Sequence, residues 1–274
     1  MQRGLHVLTR QVSPSFAQAL QAQPARLDVQ ACMEEHEQYL DLMRAVPDVE
    51  VLEVHADADC PDCVFIEDIV VHCQGTTIVT NPGSRSRRPE AVSFLDWLTL
   101  QPAELRAILG RLLVMPNDDG ATLDGGDVLQ IEDHVFVGQS ARSNVGGLEF
   151  LQAALPGMVV VPVKVPSSTL HLKSLITATT NGLVAHQSEA GEEVAREVSH
   201  HVPHLPVYFT PSLASANVVQ LGSSLLVNPM TPEDYHVLSE LAEHGSSQLY
   251  LRTLHTPEVN KADGALTCCS VIIS

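Results

Sequence analysis

The sequence predicts a mixed α/β fold, a closed ring of five similar units. Each unit is a lone strand, a polar loop, a two-stranded hairpin and a helix. Three observations predict it. Four hairpins recur, each a pair of β-branched runs around a short polar turn. A fifth hairpin is split between the two ends of the chain. Lone strands and helices fill the intervals in a repeating order.

The first hairpin leaves Asp68, runs over Ile69–Cys73, turns at Gln74-Gly75 and returns over Thr76–Thr80. The second pairs Asp127–Ile131 with His134–Gly138, and the third His171–Thr177 with Leu183–Ala185. The fourth pairs Asn217–Leu221 with Ser224–Val227 around Gly222-Ser223. Cys268–Ile273 ends the chain as a strand with no later partner, and Gly4–Thr9 opens it with none before. Pairing the two completes the fifth unit and removes an exposed edge. Lone strands are expected at Val49–Val54, Arg111–Met115, Met158–Val163, Leu205–Phe209 and Leu249–Leu254. Helices are expected at Asp28–Ala45, Arg88–Leu98, Ala103–Leu109, Asn144–Leu155, Glu189–His200 and Pro232–His244, with Ser140, Ser188 and Thr231 as N-caps. No low-complexity linker interrupts the chain, so residues 1–274 read as one domain.

Composition narrows the function. The chain has 274 residues, 45% of them hydrophobic, enough for a large core. Its formal charge is -18, from 33 acids against 15 bases. Such a surface disfavours nucleic acid and anionic membranes and favours small cationic ligands. The stretch Met1–Leu8 lacks the apolar run of a signal peptide, and no window approaches the ~20 apolar residues of a membrane span. The chain is therefore expected to be cytoplasmic. Its six cysteines then read as free thiols. Cys60-Pro61-Asp62-Cys63 lacks both the following helix of a redox pair and the second ligand pair of a zinc site.

Each hairpin opens on a residue that a core strand would not choose: Glu67-Asp68, Asp127 with Asp124 before it, His171, Asn217 and Cys268. In a closed ring these points lie at one end of the axis. Carboxylates, an imidazole and a thiol distant in sequence would thus meet. Pro61–Asp68 alone carries three carboxylates, Asp62, Glu67 and Asp68, against apolar chain. Buried acids want a cation, and a guanidinium fork matches two carboxylates at once. A thiol and an imidazole together are a nucleophile and its proton carrier. Strand alternation sets Cys269 on the face of Val271 and Ile273, the packed wall, and leaves Cys268 for chemistry. Asp124, flanked by Gly125-Gly126, is the candidate to hold His171. Arg142 and the cluster Arg85-Ser86-Arg87-Arg88 supply charge for an anionic end of a ligand. The competing readings are a solvated acidic loop, core cysteines and surface arginines paired with the many acids.

Pro61–Asp68, Pro82-Gly83 through Arg88, Ala121–Asp127, Leu170–Lys173 and Asp263–Ser270 together resemble the dimethylarginine dimethylaminohydrolase (dimethylargininase) family, along nearly the whole chain from about Val7. That family lies in the amidinotransferase-like (pentein) superfamily of five-bladed α/β propellers, in agreement with the ring of ββαβ units. The resemblance implies hydrolysis of Nω-methylated L-arginine to L-citrulline and dimethylamine or methylamine, with Cys268 carrying a covalent thiouronium intermediate. It implies that His171 protonates the departing amine and then activates water, with Asp124 at the position the family fills with Asp or Glu. Asp62, Glu67 and Asp68 would hold the guanidinium, and Arg87 and Arg142 the α-carboxylate. Ala262, Asp263 and the loop near Leu20 would take the α-amino group. No metal or organic cofactor is implied, though a Cys/His pair could bind zinc as an inhibitor. The implied partner is the small-molecule substrate, on a monomer or homodimer. The sequence departs from the family at Asn81, where Arg is common before Pro-Gly, and residues 12–27 align poorly and read as a lid. An arginine deiminase-type hydrolase and a propeller that binds a guanidino ligand without turnover are the alternatives.

Overall fold

The computed structural model describes residues 4–245 and 247–273; residues 1–3, 246 and 274 of the expected domain lie outside the described residues. The chain forms β1 (Leu5–Arg10), α1 (Val29–Arg44) and β2 (Val49–Val54). It continues with β3 (Val70–Cys73), β4 (Thr76–Val79), α2 (Arg88–Thr99), α3 (Ala103–Ile108) and β5 (Arg111–Val114). The third unit is β6 (Val128–Ile131), β7 (His134–Gln139), α4 (Val145–Ala154) and β8 (Val159–Lys164). The fourth is β9 (Ile176–Thr179), β10 (Gly182–His186), α5 (Glu189–His201) and β11 (Val207–Thr210). The fifth is β12 (Val219–Leu221), β13 (Ser224–Val227), α6 (Pro232–His244) and β14 (Tyr250–Thr253), after which α7 (Pro257–Lys261) and β15 (Ser270–Ile273) follow.

The described strands form five three-stranded sheets. In four of them an antiparallel hairpin takes a parallel outer strand, as where β3 and β4 precede β5. In the remaining sheet, that of β1 and β2, β15 supplies the missing hairpin half. It runs antiparallel to β1, with His6 opposite Ile273 and Thr9 opposite Ser270, and β2 lies parallel on the other side. The ends of the chain thus close the ring, as the split hairpin predicts. Apolar side chains fill the seams between blades. One cluster joins Leu8 and Val54 to Ile66, Val70 and Phe94 of the next unit, and to Val271 of the closing strand.

The hairpins begin differently from the sequence expectation. The polar residues that open them do not start strands. They sit in or beside short 3-10 turns: Ile66–Asp68, Gly125–Asp127, Leu172–Ser174, Leu213–Ala216 and Thr267–Cys269. Each turn is tied by a bond three residues back, as from the Asp68 N–H to the Phe65 carbonyl and from the Cys269 N–H to the Leu266 carbonyl. The chain therefore bends before the ladder starts.

Two of the three expected N-caps hold: Ser188 accepts from the Gly191 N–H, and Thr231 forms a reciprocal box with Asp234. Ser140 is the exception. Asn144 caps α4 by accepting from the Gly147 N–H, while Ser140 donates at 2.6 Å to Asp127. Asp127 also accepts from Ser143 at 2.6 Å and from the Leu172 N–H at 2.9 Å. It is thus a buried fastener between the third and fourth units. Burial raises its pKa to about 6 against these bonds and the His171 charge.

Candidate active site

At one end of the ring axis lies a cavity of about 300 Å³ lined by Leu20, Asp62, Asp68, Arg87, Arg142, His171, Ala262, Asp263 and Cys268. These groups come from turns in four of the five units and from the segment after β1. Of the residues to which the resemblance gives a role, Asp124 and Glu67 are absent from this wall, as are Asp127 and Asn217 among the hairpin-opening residues and Arg85 and Arg88 of the arginine cluster. Asp124 is fully buried behind His171, whose Nε2 lies 3.0 Å from Asp124 Oδ2. That contact fixes the ring plane. Gly126 lets it sit there, because a Cβ at that position would stand 2.6 Å from His171 Nδ1. The Gly126 N–H donates to Asp68 Oδ1 at 3.2 Å, and that oxygen lies 3.8 Å from His171 Nδ1. His171 is held between two carboxylates.

Those carboxylates set its charge. Burial alone would lower the His171 pKa, but Asp68 and then Asp124 outweigh it and raise the value from 6.5 to about 9. The ring is therefore an imidazolium at neutral pH. Asp68 answers in kind: although burial opposes its charge, His171, Arg87 and Arg142 hold it below the usual carboxylate range. Cys268 moves the other way. Burial first, then the Glu67 and Asp68 charges, push its thiol far above the usual value. The resting pair is thus a thiol and an imidazolium, not the thiolate that an isolated Cys–His pair would give. Iodoacetamide should therefore alkylate Cys268 in the free protein at under about a tenth of the rate of free cysteine at pH 8. Peptide mapping measures this, and alkylation as fast as the free amino acid would contradict it.

Arg87 is buried, and its fork is largely committed. Nε and one terminal nitrogen meet Glu90 at 2.9 and 2.7 Å, and the other terminal nitrogen is paired with Asp68. The terminal nitrogen that meets Glu90 also donates to the carbonyls of Asp62 and Phe65. Holding an α-carboxylate, as the resemblance implies, would compete with these bonds, so its evident work is to fix Asp68. Arg142 is freer. It lines the cavity and lies 3.3 Å from Asp124. Glu67 likewise differs from the guanidinium holder expected. Its two oxygens accept from Lys173 at 2.6 Å and Thr267 at 2.9 Å, and it does not line this cavity. Asp62 accepts from the Leu20 N–H at 2.9 Å, and burial raises its pKa. Asp263, in the left-handed region at φ 56°, turns its carboxylate to the Ala22 N–H. The segment 12–27, read as a lid, thus touches both rims.

Sequence reasoning misses Glu90, Lys173 and Thr267. Glu90 carried a signal, since an acid three residues after Arg87 in a first helical turn is placed to pair with it. Its removal would leave a buried guanidinium underpaired. Glu90→Ala should destabilise the protein by about 3–5 kcal/mol, read as a shift in denaturation midpoint; a change below ~1 kcal/mol would contradict the pairing.

Asp68, Asp124 and His171 place possible metal ligands within 4.8 Å of one another. Two of the three are already ion-paired to arginines, Asp68 to Arg87 and Asp124 to Arg142. A further cation would meet guanidinium charge there. The cysteines Cys60 and Cys63 are free and buried, and neither lines this cavity.

Fold and cavity together define a class: a closed five-unit α/β propeller with a cysteine and a charged histidine among carboxylates at one axial end. Residues 9–185 match the family model described as N,N dimethylarginine dimethylhydrolase, eukaryotic. The chain is 35% identical over 269 residues to the N(G),N(G)-dimethylarginine dimethylaminohydrolase of Streptomyces coelicolor, covering 96% of this chain and 95% of that one. It is 26% identical to the protein of the same name from Pseudomonas aeruginosa, over 97% and 98% of the two chains. The solved structure of a cysteine-to-serine mutant of a Pseudomonas aeruginosa protein of this kind, complexed with citrulline, superposes with a TM-score of 0.81 at 22% identity, over 97% and 98% of the chains. The N-terminal domain of a cyanobacterial arginine dihydrolase matches with a TM-score of 0.79 at 15% identity, over 98% of each chain. The chain belongs to the dimethylarginine dimethylaminohydrolase family.

Proposed function

We propose that the protein hydrolyses Nω-methylated L-arginine to L-citrulline and an amine through a covalent intermediate on Cys268. The single observation that carries this reading is that Cys268, His171 and Asp68 line one cavity with Arg142. A nucleophile, an acid, a guanidinium acceptor and a carboxylate acceptor stand together. The family relationship to proteins named for this reaction supports it.

The resting charges dictate the order of events. The thiol keeps its proton until the substrate cation arrives beside it and favours the thiolate, the proton passing to solvent water because His171 already carries one. Asp68, with Asp62 near it, holds the unmethylated N–H groups, each charge-assisted bond worth about 1.5–3 kcal/mol. The thiolate sulfur bonds to the guanidinium carbon. The C–N bond to the methylated nitrogen breaks as His171 gives that nitrogen its proton. Now neutral, His171 takes a proton from a water whose oxygen bonds to the same carbon. The C–S bond then breaks, the new hydroxyl proton returns to sulfur, and citrulline leaves. Asp124 keeps the ring oriented through both transfers.

The six described cysteines are all free, which fits a reducing compartment such as the cytoplasm. No helix among the described residues is long and apolar enough to cross a membrane. One chain supplies all the groups used, which fits a monomer and a homodimer alike.

The test is citrulline release from asymmetric dimethylarginine, monomethylarginine and arginine, with and without a chelator. The reading expects both methylated substrates to exceed arginine by at least about tenfold in kcat/KM, unaffected by chelator. Preference for arginine would instead indicate a deiminase, and loss of activity with chelator a metal enzyme.

A further inference from the structure

Asn217 opens the fourth hairpin and takes no part in the proton and bond transfers above. It is buried, and its amide is fully engaged. Oδ1 accepts at 2.9 Å from the N–H of Thr267, the residue before Cys268. Nδ2 donates at 3.0 Å to the Thr267 hydroxyl and at 3.0 Å to the carbonyl of Lys173, two residues after His171. The amide cannot be turned end for end, because one end meets an N–H and the other a carbonyl. The Thr267 hydroxyl donates in turn to Glu67, whose other oxygen accepts from Lys173. A closed circuit of bonds thus joins the turns Ile66–Asp68, Leu172–Ser174 and Thr267–Cys269.

That circuit braces the nucleophile against its acid. The turn that follows His171 is already held on another side, where Asp127 accepts from the Leu172 N–H. Asn217 is the strut between that turn and the one that carries Cys268. It borders the chamber that His171 and Cys268 line, but with both N–H groups committed it offers a substrate no donor. Resting on the hydrolase reading above, we propose that Asn217 is a positioning residue, which sets the distance between the Cys268 sulfur and the His171 ring by bracing Thr267 against Lys173. Two steps need that distance, attack by sulfur and delivery of the proton to the departing amine. Binding of the guanidinium by Asp68 and of the carboxylate by Arg142 does not need it, so the strut acts on turnover and not on affinity.

The experiment measures kcat for methylarginine on Asn217→Ala, and Kd by calorimetry once Cys268→Ser is added. Asn181→Ala controls for simple loosening. Asn181 is also buried, its amide is spent on the Leu241 and Ser247 carbonyls and the Ser247 N–H, and it borders neither cavity. Asn217→Ala is expected to lower kcat by about 10–10²-fold with Kd within about threefold, while Asn181→Ala keeps kcat within about threefold. A kcat within about threefold of wild type, an equal fall in Asn181→Ala, or a rise in Kd as large as the fall in kcat would overturn the proposal. Thr267→Val keeps the main-chain bond to Asn217 and loses the hydroxyl end of the strut. It is expected to lower kcat by about three- to tenfold and decides the matter if Asn217→Ala does not fold; an unchanged kcat there overturns the strut. Iodoacetamide gives a readout without turnover. Cys268 should react at least about threefold faster in Asn217→Ala than in wild type, because a freed turn moves the thiol off the Glu67 and Asp68 charges that oppose its anion. An unchanged rate counts against the strut. Absence of citrulline from methylarginine in the wild type would sink the hydrolase reading alone, because alkylation still tests Asn217.

Discussion

Cys268→Ser should bind methylarginine and fail to turn it over, with kcat lowered by at least about 10⁴-fold. The reason is specific to this cavity. A serine hydroxyl is a far weaker acid than the thiol it replaces, and Glu67 and Asp68 already oppose an anion here. The nearby His171 offers no basic nitrogen, because it is already protonated at neutral pH. Ground-state contacts to Asp68 and Arg142 do not involve the sulfur, so Kd should stay within about tenfold. Stopped-flow turnover with calorimetric binding separates the two effects. Residual turnover within 10²-fold of wild type would move the nucleophile elsewhere.

The second large effect falls on His171. Its replacement by alanine should lower kcat by about 10²–10⁴-fold, the range for loss of a positioned proton carrier. The pH profile carries more information than the size. A group whose pKa is raised is protonated below the raised value and loses its proton above it. Amine departure in the wild type should therefore weaken as pH rises through about 9, the His171 value. His171→Ala should lack that alkaline limb. A limb retained in the variant would assign it to another group.

Legibility follows from the kind of signal each feature leaves. The ring was readable because hairpins repeat, and a strand at each end lacked a partner until β1 met β15. The 3-10 turns were not. A polar residue before a β-branched run looks like the first strand residue, and nothing in the period-2 pattern marks the bend. The choice of Cys268 over Cys269 shows the consequence. Strand alternation was the argument for separating the two, but it does not operate here, because both lie in the turn Thr267–Cys269. Cys269 is buried in the apolar cluster that holds Cys32 and Tyr39, and the Tyr39 hydroxyl bonds the Leu266 carbonyl and Ser270 beside it. Cys268 faces the cavity.

The charged residues were legible as a set and not as pairs. Sequence brings Asp62, Asp68, His171 and Arg142 to one end of the axis. It does not say that Arg87 is taken by Glu90 and Asp68, or Glu67 by Lys173, across 106 residues of chain in the latter case. Pairing is decided by which side chains the ring leaves within 3 Å, and spacing along the chain carries no such information. Lys173 lay two residues from His171 in plain view, but its partner came from another blade.

The most direct measurement is the mass of the peptide carrying Cys268, after His171→Ala is mixed with asymmetric dimethylarginine and quenched in acid. With no group left to activate water, the adduct should persist. The account predicts that this peptide gains the mass of the substrate less dimethylamine, while the peptide carrying Cys63 is unchanged. An unmodified Cys268 peptide, in a sample that has released dimethylamine, would contradict it.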